Sequence, residues 1–229
     1  MCGRYVLKAG IEELKENYQA TPRGTFEWRP NYNAAPSVDM PVVLQHEKEG
    51  RVIDKYRWGL VPFWAKEVNT GYSMFNARAE SIASKRTYQK PFKKQRCIVP
   101  ASGFYEWVKT PDGKIPHYIT LKDQGLMSFA GLYEHWQGDG GQVVNSFTII
   151  TTESNDKLAP IHDRMPAILL DQEIDHWLDP ANQDTEGLRD LVRPYPSDDI
   201  SFYKVSTAVN NARNQGPSLI EPDEDLFSL

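Results

Sequence analysis

Ser128-Phe129-Ala130-Gly131-Leu132-Tyr133-Glu134-His135-Trp136, a break at Gly138-Asp139-Gly140-Gly141, then Val143-Val144-Asn145-Ser146-Phe147-Thr148-Ile149-Ile150-Thr151-Thr152: these two runs decide the fold class. Both are rich in β-branched and aromatic residues, and the glycines between them suit a hairpin turn. Working outward, the same texture recurs. Extended runs at 42–44, 52–58, 96–100, 104–108 and 117–121 are punctuated by turns such as Pro111-Asp112-Gly113. Helical spacing shows near the two ends, in Ile11, Leu14 and Tyr18, then in 172–178 and in 185–192 before Pro194. Strands that follow one another without alternating helices exclude a doubly wound sheet. They predict an α+β fold: a single domain over residues 1–229 around an antiparallel sheet or open barrel, with helices at the two ends. Residues 221–229 read as an acidic tail.

Of the 229 residues, 40% are hydrophobic and 25% charged, which excludes wholesale disorder. No apolar run reaches the roughly 20 residues of a membrane span. The first residues meet charge at Arg4 and form no secretory signal. Cys2 and Cys97 give no disulfide framework, so a reducing, cytoplasmic setting is expected. The net charge of −5 conceals a division: residues 1–100 carry 17 Lys and Arg against 10 Asp and Glu, and the acidic excess lies beyond them. Lys85, Arg86, Lys90, Lys93, Lys94 and Arg96 form one stretch without an acid. Such a stretch can meet a polyanion, and it equally suits a solvated loop and helix.

Several polar positions stand in suggestive settings. If Met1 is removed, Cys2 presents an amine and a thiol two carbons apart. That pair condenses with an aldehyde to an imine and then closes to a five-membered thiazolidine. The other reading of Cys2 is an accident near a frayed terminus. Strand alternation puts Phe104, Glu106 and Val108 on one face, which makes Glu106 either a desolvated proton shuttle or a salt-bridged residue at a sheet edge. His162 sits between Pro160 and Pro166, suited to moving protons near neutrality or to a structural role. Asn76 and Arg78 share a direction if the chain there is extended; otherwise Asn76 opens a helix with Glu80 in its first turn. Cys97 reads as a small apolar residue on a core strand. His and Cys lack the clustered spacing of a metal site, and no cofactor is expected.

Met1-Cys2-Gly3-Arg4, Tyr32-Asn33-Ala34-Ala35-Pro36, Trp58 to Trp64, Asn76 to Glu80, Gly103-Phe104-Tyr105-Glu106-Trp107 and Ile161-His162-Asp163-Arg164-Met165-Pro166 occur in the order of one family. The chain resembles the SOS-response-associated peptidase (SRAP) proteins, which shield abasic sites in DNA by covalent attachment. The resemblance implies an α+β domain with an antiparallel, barrel-like β core flanked by short helices, a groove for single-stranded DNA containing abasic sites and a thiazolidine crosslink to Cys2, in a protein acting as a monomer. It also implies lyase-like activity and an autocatalytic N-terminal peptidase step. Under it Glu106 moves protons, His162 opens the sugar ring, and Asn76 orients amine and sugar. Arg4, Arg78, Arg86 and Arg164 hold phosphates, Asn33 and Thr151 add polar contacts, and Pro36, Trp64 and Trp107 pack against bases or sugar. Trp28, Trp58, Phe63 and Tyr72 are further aromatic faces in the basic half. The rivals are an N-terminal-nucleophile cysteine hydrolase of amidotransferase type and a non-enzymatic single-strand binding module.

Overall fold

The computed structural model describes residues 2–25, 27–68 and 74–223. Met1, Tyr72 and residues 224–229 of the acidic tail lie outside the described residues. In chain order the strands are β1 Tyr5–Leu7, β2 Thr21–Pro22, β3 Asn31–Ala34, β4 Asp39–His46, β5 Gly50–Trp58, β6 Asn76–Arg78 and β7 Arg96–Ala101. They continue with β8 Gly103–Thr110, β9 Gly113–Leu121, β10 Met127–Gln137, β11 Val143–Glu153, β12 Arg164–Pro166, β13 Ile168–Leu169 and β14 Ile200–Lys204. The helices are α1 Ile11–Tyr18, α2 Arg86–Lys94, α3 Ile174–Leu178 and α4 Thr185–Leu191.

The hairpin that opened the sequence reading is β10–β11, in register from Gly131↔Ile149 to Gln137↔Val143. From it the order β11-β10-β7-β4-β5 runs antiparallel, and β5 returns to β11 as a parallel neighbour at Arg57↔Ser146 and Trp58↔Phe147. The ring closes into a five-stranded barrel, so the expected barrel-like core is present, with one parallel seam. Closure follows from burial: Trp58 stacks on Phe147 at 6.4 Å, meets Tyr5 edge-on at 5.0 Å, and donates Nε1–H to Phe75 O at 2.9 Å. Among the described residues no helix is long and apolar enough to cross a membrane.

A second sheet, ordered β14-β9-β8-β1-β3, leans on the barrel. Gly103 opens β8 because a Cβ there would lie 2.5 Å from Ile119 O and from the Tyr118 ring. The basic stretch forms α2, which buries Tyr88, Pro91 and Phe92 and turns its charges outward. Arg96 is an exception. Its guanidinium is buried and donates to Trp177 O, Phe92 O, Lys93 O, Asp179 O and Asn182 O, stapling the ends of α2 and α3 to the barrel.

Candidate active site

The site forms where the second sheet meets β6 and β11. Strand β1 pairs antiparallel with β8 through Tyr5↔Phe104 and Val6↔Gly103. Tyr105 N–H donates to Arg4 O at 3.0 Å, which continues that register outward and carries Cys2 toward Glu106. From the other side, β6 runs parallel to β11 through Asn76↔Ile149 and Thr151↔Arg78. The extended reading of Asn76 and Arg78 is the one adopted: Ala77 between them is buried, and a 3-10 turn, Ala79–Ser81, follows only afterwards. Asn76 Nδ2 donates to Cys2 O at 2.8 Å, while its Oδ1 is buried without a hydrogen-bond partner.

Glu106 lies on the core-facing side of β8 with Phe104 and Val108, and Tyr105 and Trp107 face a smaller cluster with Val6 and Tyr118. It is 5% exposed, inside the sheet rather than at its edge. Burial pushes its carboxyl up to about 7, with the amino-terminal positive charge and the Trp107 backbone acting in the opposite direction. Cys2 is completely buried, and burial, reinforced by Glu106, pushes its thiol well above the ordinary range.

His162 is delivered by the segment between β11 and β12. Asn155 caps a turn there by accepting from Leu158 N–H, and Ser154 Oγ–H donates to His162 O at 2.5 Å. His162 Nε2 lies 4.0 Å from Glu106 Oε2. Arg164 N–H donates to His162 Nδ1 at 2.9 Å, which assigns the proton of the neutral ring to Nε2, on the Glu106 side. Asp163 Oδ1 is also 2.9 Å from Nδ1 and favours the protonated ring. Its side chain is 86% exposed, so water screens it, and the backbone donor decides the tautomer. Burial lowers the His162 pKa, so the ring is held neutral more readily than a free histidine.

The structure thus brings Cys2, Asn76, Glu106 and His162 together from four separate segments. The other expected residues divide. Arg78 and Arg86 are exposed, Trp64 is exposed, and Pro36 is half-buried after β3. Thr151 is buried with Oγ1 unpartnered, and its carbonyl accepts from Arg164 Nη2 at 2.6 Å. Arg164 grips Glu80 with a two-pronged fork at 2.6 and 3.1 Å.

Arg4, Asn33 and Trp107 gather around the segment 209–214. Arg4 Nη1 donates to Asn33 Oδ1 at 2.7 Å and to Val209 O at 2.8 Å. Buried Asn33 donates through Nδ2 to Val209 O, Asn211 O and Asn214 O, so its side chain is occupied within the protein. Trp107 Nε1–H donates to Asn210 Oδ1 at 2.7 Å. Sequence reasoning missed Glu80 as the partner of Arg164 and Asn210 as that of Trp107; nothing local to either residue signals a contact so distant in sequence. An open hollow of about 480 Å³, lined by Arg78, Ser154, Asp163 and Arg164 among others, adjoins the histidine segment. Among the described residues, no group of three His, Cys, Asp or Glu side chains is placed to hold a metal ion.

With that geometry in place, comparison with known proteins is informative. A family model described as SOS response associated peptidase (SRAP) matches residues 1–212. Abasic site processing protein YoqW of Bacillus subtilis is 44% identical over 225 residues, covering 96% of this chain and 99% of that protein. Abasic site processing protein HMCES of Gallus gallus is 34% identical over 265 residues, covering 98% of this chain and 78% of that protein. The crystal structure of a protein from Bacteroides thetaiotaomicron superimposes with a TM-score of 0.88 at 27% identity, over 97% of this chain and 100% of that one.

Proposed function

This chain belongs to the SOS response associated peptidase (SRAP) family, and on that footing we propose that it processes abasic sites in DNA. It captures the ring-opened deoxyribose aldehyde of a single strand as a thiazolidine on Cys2, once Met1 has been removed. The observation that carries this reading is the convergence on Cys2 of Asn76, bonded to its carbonyl at 2.8 Å, and of Glu106, whose carboxyl titrates near 7. Cys2 has no exposed surface while the chain begins at Met1. Capture therefore requires both that the amine be freed and that the sugar gain access to it.

The chemistry balances without a cofactor. His162 Nε2–H protonates the ring oxygen as the sugar opens, while the proton of the anomeric hydroxyl passes through the Glu106 carboxylate back to Nε2, 4.0 Å away, so that both groups are restored before the amine adds. The free amine, oriented by the open Oδ1 of Asn76, adds to the aldehyde carbon and passes its extra proton to Glu106. Glu106 then returns a proton to the departing hydroxyl, and one water leaves as the imine forms. The sulfur closes on the imine carbon, and the thiol proton ends on nitrogen. This order, amine first and sulfur second, requires no thiolate at the outset, whereas the rival hydrolase needs one to lead.

Along the bound strand, exposed Arg78 and Arg86 hold phosphates, and Trp64, Trp107 and Pro36 offer apolar faces. Thr151 Oγ1 supplies a hydroxyl with no internal partner, and Arg164 reaches phosphate by exchanging it for Glu80. Arg4 and Asn33 act from behind, fixing the 209–214 segment against which Trp107 is set. The test is a denaturing gel with a uracil-containing single strand pretreated with uracil glycosylase. Wild type should give a stable shifted band; Cys2→Ala, Cys2→Ser and any protein whose intact mass retains Met1 should give none. A stable adduct from Cys2→Ala would overturn the assignment.

A further inference from the structure

A second feature lies on the barrel's outer surface, away from the reacting residues. Phe63 and Trp64 are 49% and 44% exposed, at the tip of a tight turn in which Ala65 N–H donates to Pro62 O. The turn is fastened at both ends. Val61 N–H donates to Ser146 Oγ at 2.8 Å, and Trp136 Nε1–H donates to Ala65 O at 2.7 Å. Two large aromatic rings presented on a rigid mount are not a consequence of core packing.

Lys90 of α2 extends over the Phe63 ring, with Nζ 5.3 Å from its centroid. The same ammonium lies 3.5 Å from Oε1 of Glu134, a carboxylate only 1% exposed. Glu134 Oε1 also accepts from Gln95 Nε2 at 3.0 Å and from the His135 N–H at 3.1 Å. A buried carboxylate fixed by those two donors holds the lysine in one orientation, and the lysine holds the ring from one side. On α2, Arg86, Lys90 and Lys93 fall at spacings of four and three residues, on one exposed stripe, and the helix contains no acid.

The turn and the reacting site are both anchored on β11. Ser146, which anchors it, and Ile149, the partner of Asn76, are three residues apart on β11, roughly 10 Å. That span is about three stacked nucleotides at 3.4 Å each. A rigid aromatic face beside a row of cations is the recurrent means of holding a single strand without reading its sequence.

We propose that Phe63, braced by Lys90 on buried Glu134, is a stacking platform for a base of the strand flanking the reacting nucleotide, and that Arg86 and Lys93 hold the adjoining phosphates. The platform rests on the proposed capture of single-stranded abasic DNA, extends it to one side of the lesion, and adds Glu134 as a positioning residue. The platform serves one flank only, so its effect depends on strand length and polarity.

The test measures fluorescence anisotropy of full-length wild type, Phe63→Ala and Glu134→Gln with strands extended on the 5′ side only, the 3′ side only, or neither. Phe63→Ala should weaken binding at least about fivefold for one of the two extended strands and leave the unextended strand unchanged. Glu134→Gln should shift affinity in the same direction for that same strand alone. Equal affinity of Phe63→Ala and wild type for every strand would overturn the platform. So would equal weakening for all three, since that reports damage to the protein rather than a lost stack. Adduct yield of wild type at saturating DNA is read separately: its absence sinks the capture chemistry, whatever the anisotropy shows.

Discussion

Replacing Glu106 with Gln exposes what burial does to the site. Glu106 is 5% exposed, and its carboxyl titrates at about 7 instead of the ordinary 4.5. That difference equals about 3 kcal/mol of preference for the neutral form. Because the folded value lies above the unfolded one, the associated stability is complete below about pH 4.5 and is lost as pH rises through about 7. Wild type should therefore lose up to about 3 kcal/mol between about pH 4.5 and about pH 8.5 that Glu106→Gln keeps. At roughly 2–4 °C per kcal/mol for a chain of this size, the Tm values of the two proteins should draw apart by about 6–12 °C over that range. Thermal melts of both proteins across the pH series measure the gap directly. The kinetics should echo it: adduct formation by wild type rises through about pH 7 as the carboxyl becomes a base, and Glu106→Gln stays slow and flat. Parallel Tm curves for the two proteins would show that Glu106 is not desolvated, and the proton-shuttle argument would fall with it.

Two other substitutions probe the groove. Asn33→Ala removes one acceptor of Arg4 and the Asn33 Nδ2 donor from the carbonyls of Val209, Asn211 and Asn214, leaving Val209 O with Arg4 alone. It should cost about 2–4 kcal/mol in urea unfolding, and a loss under about 1 kcal/mol would mean that the clamp is not stabilising. Glu80→Gln releases the Arg164 fork. Single-strand affinity should rise severalfold and the plot of log K against log salt should steepen by about 0.7, one phosphate's worth. An unchanged slope would show that Arg164 never exchanges its carboxylate for DNA.

The strands of the barrel were legible because each is long enough to display its pattern. β10 and β11 alternate around a glycine-rich turn, and β5, β7, β8 and β9 are bounded by proline or glycine. The short pieces were not: β1 spans three residues and β13 two, too few for any period to show. Nor was closure readable, since it depends on Trp58 meeting Phe147 across a long stretch of chain. Helix α2 was obscured by Pro91 within it and by its four cations, although only its buried Tyr88 and Phe92 were needed to dock it. At the site, the place of Glu106 between Phe104 and Val108 offered burial as one of two readings, and the structure adopts it. Asn33 shows the opposite case. It stands in a quoted motif beside other candidate residues, yet its partners are backbone carbonyls some 180 positions away, and carbonyls leave no trace in a sequence.

Strand β1 occupies the interior of its sheet, with β3 on one side and β8 on the other. The earliest residues to leave the ribosome are thus stitched in only after residues 103–110 have emerged. At roughly 5–20 residues per second, the nascent end waits about 5–20 s before it can be seated. An aminopeptidase that trims Met1 within that interval meets a terminus still free of its sheet, so under the proposed chemistry the tempo of translation helps decide what fraction of the molecules is born armed.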